Sequence, residues 1–212
     1  MIQIQTFTFN PFQENTYVLF DETRECVIID PGCYEKQEKQ ELTDFIQSNQ
    51  LHVKYLLNTH CHIDHVLGNA FVKHTYKVDL YIHQADEPVL RAVESYASSY
   101  GFAQYEPTLP DHFLEEGDRV KFGNSSLAVL FVPGHAPGHI AFYRAEEKFC
   151  IGGDVLFQGS IGRTDLPGGN FHTLIKSIQT KLFPLGDDVT VYPGHGDPTT
   201  IGVEKKYNPF LT

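Results

Sequence analysis

The sequence predicts an α/β protein in which two β-rich halves pack together with helices outside, as one domain over residues 1–212. Three observations carry this. Strand-like runs come in two groups, one in the first third of the chain and one after residue 120, with amphipathic helical patterns between them. No repeat, low-complexity tract or linker is long enough to separate domains. The residues richest in chemistry each follow a β-rich run and sit in or beside a turn.

Residues 2–9 alternate apolar and polar, the period of a half-buried strand. Residues 17–20 form a short apolar run, and 26–29 another that stops at the turn signal Asp30-Pro31-Gly32. Within 35–49, Leu42, Phe45 and Ile46 recur at i, i+3 and i+4 among charged neighbours, which predicts an amphipathic helix on a sheet face. Residues 53–57 read as a buried strand, 68–76 as a helix, 80–83 as a strand and 88–98 as a helix. The turn-rich, aromatic stretch 99–116, with Pro107 and Pro110, is expected to form a loop over the site. Strands are predicted at 120–122, 127–132, 140–143 and 149–151. Phe171, Leu174, Ile175, Ile178 and Leu182 make one stripe of a helix over 171–183, and 189–192 is the last strand.

The 212 residues are 41% apolar and 20% charged, which suits an ordinary folded core. A formal net charge of -11 argues against a nucleic-acid groove or an anionic membrane surface, both of which need clustered Lys and Arg. The start Met1-Ile2-Gln3-Ile4-Gln5-Thr6 lacks the pattern of a signal peptide, and no segment approaches a membrane span, so a cytoplasmic location is expected. The four cysteines, Cys26, Cys33, Cys61 and Cys150, are then expected to stay reduced.

One stretch is not explained by packing. Leu56-Leu57-Asn58-Thr59-His60-Cys61-His62-Ile63-Asp64-His65 reads HxHxDH behind an apolar run, and His135, Asp154 and His195 follow in Gly- or Pro-marked turns. Imidazole nitrogens and carboxylate oxygens are ligands for first-row divalent metals. His60 and His62, two apart in an extended loop, can reach one ion from the same side, with His135 completing that site. Asp64 and His65, turned toward a neighbouring position, make a second site with His195. Asp154 is the natural bridge, since a carboxylate has two oxygens to share. Cys61, between two of these ligands, points away from them and is read as a packing residue. The other six of the eleven histidines, His52, His74, His83, His112, His139 and His172, are read as ordinary surface or core residues.

Thr59-His60-Cys61-His62-Ile63-Asp64-His65, Pro133-Gly134-His135-Ala136-Pro137-Gly138-His139, Gly153-Asp154 and Pro193-Gly194-His195-Gly196 resemble the successive motifs of the metallo-β-lactamase superfamily, over nearly the whole chain. The resemblance implies an αββα sandwich of two mixed β-sheets flanked by helices, with metals at one edge of the sheets. It also implies the two ligand sets just given, bridged by Asp154, and a supporting role for Asp30 beneath the ligand loop, where the residue-level alternative is a simple turn aspartate.

Within the superfamily, aspartate at 154 disfavours the β-lactamases, whose ligand there is typically cysteine, and histidine at 62 disfavours the flavodiiron proteins. The acidic balance and the lack of a long insertion disfavour the nucleases. The segment from Gly153 to Arg163 resembles the glyoxalase II (hydroxyacylglutathione hydrolase) branch, in a short single-domain form without the C-terminal helical domain of longer members. That similarity implies a small-molecule thioester substrate, such as S-lactoylglutathione, with Arg163 binding a substrate carboxylate; the alternative for Arg163 is a surface charge paired with Asp165. The expected cofactors are two divalent ions, zinc first, with iron or manganese as alternatives. The expected mechanism is attack of a bridging hydroxide on the thioester carbonyl, with Asp154 and Asp64 as the catalytic carboxylates. Tyr100, Tyr105, Tyr143 and Tyr192 are candidates to shape the pocket, and nothing singles one out. A promiscuous lactonase or phosphoesterase would fit the same metal centre, and two further alternatives stay open. A persulfide dioxygenase would hold one iron through His60, His135 and Asp154, and it shares the Arg163-Thr164-Asp165 segment. A metal-stabilised binding module would have no open coordination position. The sequence leaves the oligomeric state undetermined.

Overall fold

The computed structural model describes residues 1–212, which form two compact units: residues 1–113 with 121–125, and residues 114–120 with 126–212. The first sheet contains β1 (Gln3–Phe9), β2 (Glu14–Phe20), β3 (Glu25–Ile29), β4 (His52–Leu57), β5 (Leu80–Ile82) and β6 (His112–Phe113), paired in that order. The β1–β2 and β2–β3 pairs are antiparallel, and β3 through β6 run parallel. Parallel neighbours need crossovers. These are supplied by α1 (Lys36–Ser48), the one-turn α2 (Ile63–Val66) with α3 (Asn69–Tyr76), and α4 (Glu87–Tyr96).

Cys26, Val27, Ile28 and Ile29 of β3 are all buried, as the unbroken apolar run of a covered parallel strand requires. Helix α1 inserts Leu42 and Ile46 into a core with Val18, Ile28 and Leu56, and Phe45 packs half-buried beside them. Each such side chain contributes about 1.5–3 kcal/mol by leaving water.

The second sheet has the order β14-β13-β10-β9-β8-β7. Its strands are β7 (Arg119–Phe122), β8 (Ser125–Phe131), β9 (Ile140–Arg144), β10 (Phe149–Gly153), β13 (Thr190–Pro193) and β14 (Thr199–Thr200). A small hairpin, β11 (Leu156–Phe157) with β12 (Ser160–Ile161), follows β10. Helix α5 (Phe171–Ser177) begins at Asn170, whose side chain accepts from Thr173 N at 2.9 Å, and continues into a π-helical turn over Ile178–Leu182. Most of the predicted stripe is buried: Leu174, Ile178 and Leu182 pack with Val132, Cys150 and Val191, Ile175 lies partly buried beside them, and Phe171 is exposed. All four cysteines are buried and free. No helix is long and apolar enough to cross a membrane.

Several short elements depart from the sequence reading. The predicted loop 99–116 contains the two-residue β6, and β14 and the helix α6 (Ile201–Tyr207) carry no expected pattern. Helix α6 puts Ile201 into the apolar core and is otherwise held by buried polar contacts. The Glu204 carboxylate accepts from Thr199 Oγ1 (2.5 Å), Gly159 N (2.9 Å) and Asn208 Nδ2 (2.8 Å), and Asn208 Nδ2 also donates to Ser160 O (2.9 Å).

Asp21 gathers two turns in the same way. Its carboxylate accepts from Thr23 N (3.0 Å), Thr23 Oγ1 (2.5 Å), Asn124 N (2.8 Å) and Ser125 Oγ (2.8 Å). Desolvation pushes its pKa up, but the four hydrogen bonds together outweigh it and hold the carboxyl below the ordinary carboxylate range. A depressed folded pKa gives stability that is present above the unfolded value and lost as pH falls through the folded one. Asp21→Ala is therefore expected to lower unfolding stability by about 2–3 kcal/mol at pH 7. The gap should shrink below about pH 4. Urea unfolding at both pH values checks this, and a gap independent of pH would refute it.

Candidate metal centre

In the first unit, β3 and β4 are parallel, so their carboxyl ends share an edge. There β3 delivers Asp30, whose φ of 50° lies in the left-handed region that few residues other than glycine enter. This conformation turns the carboxylate onto the loop after β4. Asp30 accepts from Thr59 N at 2.6 Å and from Thr59 Oγ1 at 2.5 Å, and its Oδ2 lies 3.2 Å from His65 Nδ1. Because the Thr59 hydroxyl gives its proton to Asp30, its oxygen accepts from His60 Nδ1 at 3.1 Å. One carboxylate thereby fixes the tautomer of two histidines, keeping the proton on Nδ1 and leaving the Nε2 lone pairs turned away from it. Donor atoms of Asp30, His60 and His65 lie within 4.8 Å of one another. His65 Nε2 is 3.5 Å from Asp64 Oδ2, and the His60 and His62 ring centroids are 4.8 Å apart.

Cys61 is buried, as expected of a packing residue, and burial pushes its thiol well up. Its N–H donates to Asp86 Oδ2 at 2.6 Å. That contact pins the backbone midway between His60 and His62. Asn58 donates to His65 O at 3.1 Å and exchanges hydrogen bonds with Asn69, bracing the same loop. Asp86, Asn58 and Asn69 are buried, and no spacing in the sequence marks them.

In the second unit, the pairing makes β8, β10 and β13 run in one direction. His135, Asp154 and His195 follow these three strands and so leave the sheet at one edge. His135 Nδ1 donates to Arg163 O at 2.7 Å; a carbonyl only accepts, so the lone pair of the neutral ring sits on Nε2. That Nε2 is 3.5 Å from Asp154 Oδ2, and His195 Nε2 lies 3.5 Å from the same oxygen. His139, which the sequence leaves among the ordinary surface or core histidines, is a core one: it is fully buried, and its Nε2 accepts the Asp154 N–H at 3.0 Å, which positions the backbone at Asp154. The repeated Pro-Gly-His of Pro133-Gly134-His135 and Pro137-Gly138-His139 is the signal that could have found it.

Two glycines make this geometry accessible. Gly134 has a φ of 134°, and a Cβ there would lie 2.3 Å from Leu174 N. A Cβ on Gly162 would lie 1.9 Å from Asp154 O. Arg163 is exposed and bidentate to Asp165, with both N–O distances 2.7 Å, which holds the Asp165 carboxyl down to about 2.

The donor set fits a divalent cation. The lone pair of His135 Nε2 and a carboxylate oxygen are both acceptors, so holding them at 3.5 Å costs energy unless something positive lies between. Two donors sharing a tetrahedral ion with bonds of about 2.1 Å sit about 3.4 Å apart. His60, His65, His135 and Asp154 are buried, whereas His62, Asp64 and His195 keep some access to solvent. Nitrogen and oxygen donors without thiolate suit zinc, iron or manganese.

The sequence profile described as Metallo-beta-lactamase superfamily matches residues 9–195. The Haemophilus influenzae protein described as Hydroxyacylglutathione hydrolase GloC is 40% identical, covering 99% of this chain and 98% of its own. The crystal structure of BLEG-1 B3 metallo-beta-lactamase superposes with a TM-score of 0.88 at 35% identity, covering 99% of this chain and all (100%) of that one. TTHA1623 in a di-iron-bound form superposes with a TM-score of 0.87 at 39% identity, over 98% of this chain and 100% of that one. Two mixed sheets flanked by helices, with carboxylate and imidazole donors at the strand ends, are the fold class that the sequence predicts. With the profile spanning both groups of donors and a full-length relative at 40% identity, the chain belongs to the metallo-β-lactamase superfamily.

Proposed function

We propose that this chain is a metal-dependent thioester hydrolase of the hydroxyacylglutathione hydrolase type, acting as a single domain over residues 1–212. One ion would be held by His60, His62 and His135, the other by Asp64, His65 and His195, with Asp154 shared. The observation that carries this reading is the position of Asp154 Oδ2, 3.5 Å from Nε2 of both His135 and His195. The 40% identity to a protein described as a hydroxyacylglutathione hydrolase supports the choice of substrate class.

When bound, two cations would make hydroxide available near neutral pH and stabilise the oxyanion developing on the carbonyl. The chain's own groups do the rest. Asp30 keeps the His60 and His65 protons on Nδ1 and their lone pairs on Nε2, and the Arg163 carbonyl does the same for His135. Asp64 orients the attacking group through its carboxylate. Arg163 exchanges Asp165 for a carboxylate of the substrate. The leaving thiolate, with a free pKa near 8.5, needs no general acid.

Metal analysis of the purified protein, paired with an anaerobic assay on S-lactoylglutathione, tests the reading. About two ions per chain and oxygen-independent turnover are expected. Oxygen uptake with glutathione persulfide at one iron per chain would replace it with the dioxygenase reading through His60, His135 and Asp154. Faster turnover of a β-lactam than of any thioester would overturn it in favour of lactam cleavage, the activity for which the 35%-identical BLEG-1 protein is named.

A further inference from the structure

Five aromatic rings form a continuous series in the first unit. Tyr34 meets Phe102 at 4.9 Å between centroids, Phe102 meets Phe12 at 5.9 Å, Phe12 meets Tyr100 at 6.3 Å, and Tyr100 meets Tyr96 at 5.7 Å. Phe12 and Tyr100 are 42% and 56% exposed, although each carries a ring that would gain by burial. Joined surface rings of this kind mark a binding surface more often than isolated ones do.

The series is anchored beside Asp64 at two points. Asn10 Nδ2 donates to Asp64 O at 3.0 Å, while Asn10 Oδ1 accepts from Phe12 N at 3.0 Å, so one side chain ties the Phe12 turn to the ligand loop. At the other end Tyr96 closes helix α4, which packs on the one-turn α2 that carries Asp64. The only cation stacked on the series is Lys39, 5.8 Å from the Tyr34 ring, at the end away from Tyr96.

We infer that the Phe12–Tyr100 wall receives the acyl substituent of the substrate and selects thioesters whose acyl group is aromatic or bulky and apolar. The inference rests on the hydrolase reading for the position of the carbonyl near Asp64. The acyl substituent is one bond from that carbonyl, so it is the part of the substrate that a wall beside Asp64 reaches. The thiol part of a glutathione thioester carries two carboxylates, which a wall with no cation among its exposed rings does not recognise. A phenyl group in an apolar site is worth more than one methylene, which alone gives roughly tenfold or more in kcat/KM.

The test compares S-mandeloylglutathione with S-lactoylglutathione, which share the 2-hydroxyacyl core and the thiol. The wild-type ratio of kcat/KM is expected to favour mandeloyl by about tenfold or more. Phe12→Ala with Tyr100→Ala is expected to bring that ratio close to one, chiefly through KM. A ratio unchanged by the double substitution overturns the inference. A second readout needs no turnover: calorimetric titration of the metal-loaded protein with mandelate and with lactate. Tighter mandelate binding that the double variant loses supports the wall even if no thioester is hydrolysed, in which case the hydrolase reading alone falls. Equal binding of the two acids in the wild type overturns the wall while leaving hydrolysis standing.

Discussion

Asp154→Ala is expected to lower thioester turnover by at least about a thousandfold, because several kcal/mol of charge stabilisation go with it. The same substitution should reduce bound metal well below that of the wild type. Stability should move the other way. Without metal, the wild type holds the Asp154 carboxylate 3.5 Å from the His135 Nε2 lone pair, and alanine removes that repulsion. Metal-free Asp154→Ala should therefore unfold at a temperature no lower than the metal-free wild type, and lose most of the stabilisation that added zinc gives the wild type. Asp154→Asn keeps one acceptor oxygen but turns an NH2 group toward the site, so an intermediate metal content is expected. Steady-state kinetics, metal analysis and thermal scans with and without chelator check all three. Turnover within tenfold of wild type, with full metal content, would remove Asp154 from the centre.

Asp30→Ala carries the second large effect, and it acts without touching a proposed ion. The buried carboxylate holds Thr59 N, Thr59 Oγ1 and His65 Nδ1, and it reaches His60 through the Thr59 hydroxyl. Losing it leaves a buried amide and hydroxyl without their acceptor, and alanine is strained at a φ of 50°. A loss of about 3 kcal/mol in stability is expected. Metal affinity should fall by about 10–100-fold, the usual effect of removing the group that orients a histidine ligand. Asp30→Asn tolerates the left-handed conformation and keeps one acceptor, so it should recover most of the stability. It should recover less of the affinity, because its NH2 cannot accept from His65. Chelator competition gives the affinities, and imidazole nitrogen chemical shifts report the tautomers of His60 and His65. Unchanged shifts in Asp30→Ala would show that something else sets those tautomers.

The two substitutions also mark what the sequence could and could not reveal. Leu42, Phe45 and Ile46, and the stripe from Leu174 to Leu182, announce their helices because apolar burial imposes a period that a reader can count. The proposed donors His60, His62, Asp64, His65, His135, Asp154 and His195 stand out in the sequence because dense polar groups behind apolar strands have no packing purpose. Asp30 is readable only as one of two options, since a turn aspartate before Pro31 looks the same whether or not it grips a loop. Asp86, Asn58 and Asn69 are silent, because a single buried polar residue carries no periodicity. Helix α6 is silent for the same reason: Glu204 and Asn208 occupy the positions where apolar residues would have signalled burial. The bidentate Arg163–Asp165 contact was legible from the spacing alone, as the alternative reading of Arg163.

The way Glu204 and Asn208 grasp the β11–β12 hairpin sets a practical boundary on shortening this molecule. Trimming that removes α6 strips the Gly159 amide and the Ser160 carbonyl of their partners and unclasps the strip of backbone lying between Asp154 and Arg163. A modest deletion far along the chain would thus loosen the hairpin beside Asp154 and open the core that Ile201 fills.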